Sequence, residues 1–290
     1  MDNDICSNFD ILRDYIPDEL GGTPKSELKN ISNYKNYCPN DNCDTELEKI
    51  TIGFLWLLEQ CFSTFINKNH NENNTNAYFI YIILWLSYQL NQRTYYKSTP
   101  INDFYNEHVK NSDKYKSILT DSYRIGNLKE FMDEQYYLLD INIEDLSKFY
   151  GAFKVLCEMY TGFEANMSNC TQCSDKANQF VEKCKDLIKN SDITSNSSYN
   201  ELLSTLSTDY DNFKIYCNNK GVNCENFPTL PTYSRRSVIK KIIISIAFIF
   251  VAVAIFFGIA YKYSLFGFRK RALKQYLREK IKNIKKRMNY

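Results

Sequence analysis

Apolar residues recur at helical spacing along most of the chain, and in one place they run unbroken. Ile242 to Tyr261 reads IIISIAFIFVAVAIFFGIAY, twenty residues without a charge and with Ser245 as the only hydroxyl of note before the terminal tyrosine. At about 1.5 Å of rise per residue, a helix of that length matches a hydrocarbon layer of roughly 30 Å. A core helix in a globular domain normally keeps a polar face, and this run has none, so it is predicted to span a bilayer.

The remaining pattern predicts helices of ordinary length. Glu46 to Ile66 (ELEKITIGFLWLLEQCFSTFI) is the clearest, followed by a polar, Asn-rich connector from Asn67 to Asn76. Ala77 to Leu90 is the second most apolar stretch, but its continuous run ends at Ser87. That is too short to span, and it predicts a buried core helix. Ile143 to Phe163, Cys173 to Asn190 and Tyr199 to Asn218 repeat apolar residues at helical spacing, as in Phe180, Cys184, Leu187 and Ile188. Loop signals fall at Gly21 to Pro24, Ser191 to Ser198 and Phe227 to Pro231, the last reading as a short stiff stalk ahead of the apolar run. Beyond that run, Leu273, Leu277, Ile281, Ile284 and Met288 line one side of a basic amphipathic helix.

The expected fold class is therefore mainly α: a disulfide-braced helical ectodomain followed by one transmembrane helix and a basic helical tail. Its domains are expected at residues 1–224 (cysteine-rich helical ectodomain), 225–241 (stalk and basic flank), 242–261 (transmembrane helix) and 262–290 (basic cytosolic tail). Whether the ectodomain is one domain or two is not decided by pattern.

Charge orients this arrangement. The tail from Lys262 carries eleven Lys or Arg and one acid, Glu279, against four cations in the near flank, Arg235, Arg236, Lys240 and Lys241. Cytosolic flanks retain Lys and Arg, so the C-terminus is expected in the cytosol and the N-terminal domain on the exoplasmic side. The basic tail set is Arg269, Lys270, Arg271, Lys274, Arg278, Lys280, Lys282, Lys285, Lys286 and Arg287. Taking the tail's net ten and the flank's four positive charges from the whole-chain +2 leaves −12 on residues 1–234. The near-neutral total conceals an acidic domain and a basic tail. Partners expected from this are the bilayer itself and anionic lipid beneath the tail, with a tail that serves only as a solvated topology signal as the other reading. Nucleic acid is excluded as a partner of the acidic domain, which would repel phosphates.

The N-terminal stretch MDNDICSNFDILRDYIP has no charged region leading into an apolar one, so the membrane helix is expected to act as its own insertion signal. All ten cysteines precede the apolar run: Cys6, Cys38, Cys43, Cys61, Cys157, Cys170, Cys173, Cys184, Cys217 and Cys224. An even set on one side of a membrane is what an oxidising compartment produces, so all ten are disulfide candidates of unknown pairing, with room left for some to stay reduced.

Chemistry is thinly supplied. Nine glycines form no phosphate-cradling loop, Rossmann fingerprint or G-x-S-x-G elbow, and there is no H-E-x-x-H pair. His70 and His108 are the only histidines, each in a polar stretch, and both read as solvated surface. The C-x-x-C at Cys170 to Cys173 reads as structural disulfide ahead of zinc or redox pair, since its surroundings are helical and no second C-x-x-C exists. Sequons at Asn30, Asn73, Asn166, Asn169 and Asn196 are what an Asn-rich chain produces by chance. No catalytic residues, cofactor or metal are assigned, and the chain is expected not to be an enzyme.

Several segments together resemble the PIR (Plasmodium interspersed repeat) variant antigen family of rodent malaria parasites. They are FLWLLEQCF from Phe54, YIILWLSYQLN from Tyr81, FYGAFKVLCEMY from Phe149, YNELLSTLSTDYDNFKIYC from Tyr199 and the long ordered tail from Tyr261 to Tyr290. The resemblance implies a non-enzymatic variant surface antigen, exported into the infected red cell and displayed on or within it, where it meets an unidentified host receptor or antibody and serves immune evasion. Exposed polar loops at Asn67 to Asn76 and Ser191 to Ser198 would be the contact sites. The alternative is an internal structural or trafficking membrane protein that recruits partners through the basic tail. An R-x-L-x-E/Q/D export element is absent near the N-terminus, and Arg271 to Gln275 matches its spacing only by accident.

Overall fold

The computed structural model describes residues 1–38, 42–68, 72–93, 96, 99–110, 138, 141–165, 171–190, 197–231 and 266–288. It divides into two units, Met1–Pro231 and Thr232–Tyr290. Helices α1 (Asn3–Tyr15), α2 (Tyr34–Tyr37), α3 (Glu46–Lys68), α4 (Glu72–Asn91), α5 (Ile101–Phe104), α6 (Ile143–Ala165), α7 (Thr171–Lys189) and α8 (Ser197–Asn219) build the first unit. A short 3₁₀ turn, Leu28–Asn30, precedes α2, and a π-helical segment, Tyr105–Lys110, continues α5. There is no strand among the described residues, only an isolated antiparallel bridge between Pro100 and Asn142.

Local chemistry starts these helices where they begin. Asp2 caps α1 by accepting from the Ile5 amide at 3.1 Å. At α3 the Thr45 hydroxyl accepts from the Glu48 amide and the Glu48 carboxylate accepts from the Thr45 amide, both at 3.2 Å, a reciprocal capping box. Asn142 opens α6 by accepting from the Glu144 amide at 2.8 Å. The chain leaves α8 through Gly221 at φ 84°, a left-handed conformation that glycine takes without steric cost.

Helix α6 is the centre of the first unit. It packs against α4, α7, α1 and α8, and buries Phe149, Tyr150, Phe153, Leu156, Met159, Tyr160 and Phe163 among them. Helix α4 explains the apolar run at Ala77 to Leu86: it lies against α3 on one side and α6 on another, and every residue from Tyr78 to Leu86 is buried. A helix enclosed on all sides needs no polar face. Gly53 lets α3 approach this helix, because a Cβ there would sit 2.7 Å from Trp85 and 2.8 Å from Ile16.

Two sequence expectations change here. The Asn-rich segment was expected to be a connector through Asn76, yet α4 begins at Glu72 and takes Asn73, Asn74 and Asn76 into its first turns. Burial of the apolar residues downstream, Tyr78 to Leu86, outweighs the weak preference of asparagine for loops. Phe227 and Pro228, expected in the stalk, lie within the first unit: Phe227 is buried and stacks on Phe213, and Pro228 accepts from the Tyr210 hydroxyl at 2.8 Å.

Among the described residues no helix is long and apolar enough to cross a membrane. That includes α4. The run Ile242 to Tyr261, expected to span, lies outside the described residues. The second unit contributes one described helix, α9 (Phe266–Met288).

Candidate functional site

Two features of the structure gather residues that carry charge or chemistry: the buried polar clusters of the first unit and the basic helix of the second. The first cluster forms around Asp18, just past α1. Its carboxylate accepts from the Tyr150 hydroxyl at 2.7 Å and pairs with Lys154 at 2.7 Å and Arg13 at 3.3 Å. Gln92 donates to the Asp18 carbonyl at 2.6 Å and Gln89 to that of Pro17 at 3.3 Å. The loop after α1 is thereby fixed to α6 and to the end of α4. Burial first, and then the Asp18 carboxylate, hold the Tyr150 phenol well above its ordinary range, although Arg13 opposes them.

The second cluster forms around Asp209 on α8, which is buried. It pairs with the α-amino group of Met1 at 2.6 Å and accepts from the Tyr81 hydroxyl, while Tyr160 donates to its backbone carbonyl at 3.3 Å. Tyr81 also stacks on Phe153 at 4.2 Å between ring centroids. Burial and the neighbouring carboxylate keep the Tyr81 phenol protonated well above its usual range. In both clusters a carboxylate is paired with a cation and accepts a hydrogen bond from a phenol, which a buried charge requires. Ion pairs and hydrogen bonds from separate elements hold these groups in place.

The cysteines sort into two kinds. Cys6 with Cys157, Cys38 with Cys43, and Cys217 with Cys224 form disulfides, and Cys173 is disulfide-bonded as well. Cys170 lies outside the described residues. Cys61 and Cys184, candidates for disulfides on sequence grounds, instead carry free thiols inside the core, and burial pushes each up to about 12. They are on helices α3 and α7 among apolar neighbours, where cysteine behaves as a small hydrophobe. Counting cysteines cannot separate the two kinds.

His108 is not the solvated residue its polar neighbourhood suggested. It is half-buried, hydrogen-bonded to the Tyr96 hydroxyl and packed 5.3 Å from the Phe104 ring. The π-helical turn brings it onto that aromatic cluster, which linear polarity does not reveal. His70 lies outside the described residues, as do residues 191–196 of the proposed contact loop. Among the described residues no group of His, Cys, Asp or Glu could hold a metal ion.

In the second unit, α9 carries Arg269, Lys270, Arg271, Lys274, Arg278, Lys280, Lys282, Lys285, Lys286 and Arg287 along a single helix. Leu273, Tyr276, Leu277, Ile281 and Ile284 are 49–64% exposed, so the apolar stripe of this helix is uncovered. Lys280 lies 5.5 Å from the Tyr276 ring centroid, a cation–π contact at the border of that stripe.

No curated protein sequence matches the chain. A solved structure titled "Structure of a Plasmodium PIR protein ectodomain" is similar to it at 32% identity and a TM-score of 0.58, covering 79% of this chain and 99% of that one. The family model for the Plasmodium variant antigen protein Cir/Yir/Bir matches residues 6–262. A helical unit clamped by disulfides, a match over most of the sequence and a shared ectodomain fold agree: the chain belongs to the PIR family of Plasmodium variant antigens.

Proposed function

We propose that the chain is a non-enzymatic variant surface antigen, anchored through Ile242–Tyr261 as a single-pass membrane protein and displayed on or within the infected red cell for host interaction and immune evasion. The observation that carries this reading is the family match across residues 6–262, which takes in both the disulfide-clamped unit and the apolar run. A domain held together by several disulfides suits an oxidising, exoplasmic compartment. The eleven cations after Tyr261 suit retention of the tail in the cytosol. The fixed role of the buried charges supports a binding or display scaffold in preference to catalysis. A host receptor or antibody would meet the outer faces of the helices and the connecting loops, since those tolerate change without loss of the core.

Protease added to intact infected cells should remove the first unit and leave a small fragment containing the tail. Full protection of the first unit would overturn surface display. The alternative, a trafficking component recruiting partners through its tail, draws on the exposed stripe of α9. It requires that replacing the tail's Lys and Arg mislocalise the protein while the first unit folds normally.

A further inference from the structure

The sides of α9 are unequal in a way that a topology signal does not require. Leu273, Leu277 and Ile281 follow one another at four-residue spacing, and Ile284 completes the same stripe. Gln275, Glu279 and Asn283 repeat the same spacing two residues out of step, which places them on the opposite side of the helix. Lys274 and Lys285 flank the stripe on one shoulder, and Lys280 and Arg287 on the other. Arg278 extends the first shoulder outward, and Lys282 and Lys286 join the far side. The only acid of the helix thus sits on the side away from the apolar stripe, and cations border that stripe on both sides.

We propose that α9 lies flat on the cytosolic face of an anionic membrane, with Leu273, Leu277, Ile281 and Ile284 sunk among the acyl chains, the shoulder cations at the phosphates, and Gln275 and Glu279 facing water. This is the disposition in which long basic side chains keep their stems apolar and their charges among headgroups. It rests on the reading of Ile242–Tyr261 as a span: only residues 262–265 separate that run from the first residue of α9, so the helix starts at the membrane surface. A second copy of the same helix would set like charges against each other across the stripe. Anionic lipid supplies opposite charge on both shoulders and an apolar layer between them.

The test uses the full-length protein reconstituted in phosphatidylcholine vesicles with or without phosphatidylserine, spin-labelled at Ile281→Cys or, separately, at Glu279→Cys. The described native cysteines are oxidised or buried, which favours labelling of the introduced thiol. With phosphatidylserine, the label at 281 should become accessible to oxygen in the lipid, and the label at 279 should remain accessible to a water-soluble relaxant. Adding Lys274→Gln and Lys285→Gln should reduce the docked-to-free ratio about 25-fold, about fivefold for each cation. Aqueous labels at both positions with phosphatidylserine overturn the proposal. So does shielding of 281 that needs no anionic lipid and is accompanied by spin coupling between copies, or shielding that appears only when an acidic polypeptide is added. A chain that fails to float with vesicles after an alkaline wash overturns the span and the docking with it, whereas a floated chain with an aqueous 281 overturns the docking alone.

Discussion

At the scale of single residues, two positions show what the core tolerates. Gly53 is the point where α3 meets Trp85 and Ile16, and an added methyl has nowhere to go: its atoms would lie 2.7 Å and 2.8 Å from theirs. Gly53→Ala should therefore destabilise the first unit by about 1–3 kcal/mol despite alanine's better helix propensity, read as a lower denaturant midpoint. Cys61 and Cys184 behave in the opposite sense, as groups kept inert by their surroundings. Burial raises each thiol from 9.0 to about 12. At pH 8 neither should react with a thiol reagent in the folded protein, and both should react after denaturation. The linkage has one direction: below pH 9 both thiols are protonated, folded or unfolded, and their contribution is intact. From pH 9 towards 12 the unfolded chain ionises first and stability falls. The buried phenols of Tyr81 and Tyr150, also held high, act in the same sense at alkaline pH. A titration of the unfolding midpoint across that range checks both.

Elements are held together by bonds of unequal reach. The disulfide between Cys6 and Cys157 joins α1 to α6 across 151 residues, whereas Cys38–Cys43 and Cys217–Cys224 close loops of 5 and 7. On chain-entropy grounds the long bridge stabilises by about 5 kcal/mol and each short one by about 2 kcal/mol. Cys6→Ser with Cys157→Ser should accordingly lower stability by more than the double replacement at Cys38 and Cys43, measured by denaturant unfolding under non-reducing conditions. The same pair of helices is tied a second time through Arg13, Asp18 and Tyr150. Loss of the bridge should therefore loosen the α1–α6 contact without abolishing the fold.

On the scale of the whole molecule, the first unit ends at Pro231 with its own core, its own disulfides and its own buried charges. Residues 1–231, produced in an oxidising host without the apolar run, should fold and unfold cooperatively by themselves. The fragment should also bind an anion exchanger at neutral pH, since residues 1–234 carry a formal charge of −12. A fragment that aggregates, or that unfolds without cooperativity, would show that the second unit completes its core. The acidic domain and the basic tail thus share a chain but carry opposite charge, −12 on residues 1–234 against a net +10 on residues 262–290.

What the amino-acid sequence determined by itself was whatever depends on period and on neighbours. The helices at α3, α6, α7 and α8 were legible because their apolar residues repeat every three or four positions over many turns. The charge division between domain and tail was equally legible, since it is a matter of counting, and so was the stripe of α9. The tertiary structure alone decided which cysteines pair, because a disulfide needs two sulfurs brought together from distant elements, as with Cys6 and Cys157. It alone turned Asp18 and Asp209 from ordinary acids into the anchors of buried clusters. It also moved His108 from a polar stretch onto an aromatic face and Phe227 from a stalk into the core. The reach varies, from 151 residues at Cys6–Cys157 to four at Phe104–His108, but each contact is set by how the backbone folds and packs in space, which the apolar period along the chain does not record.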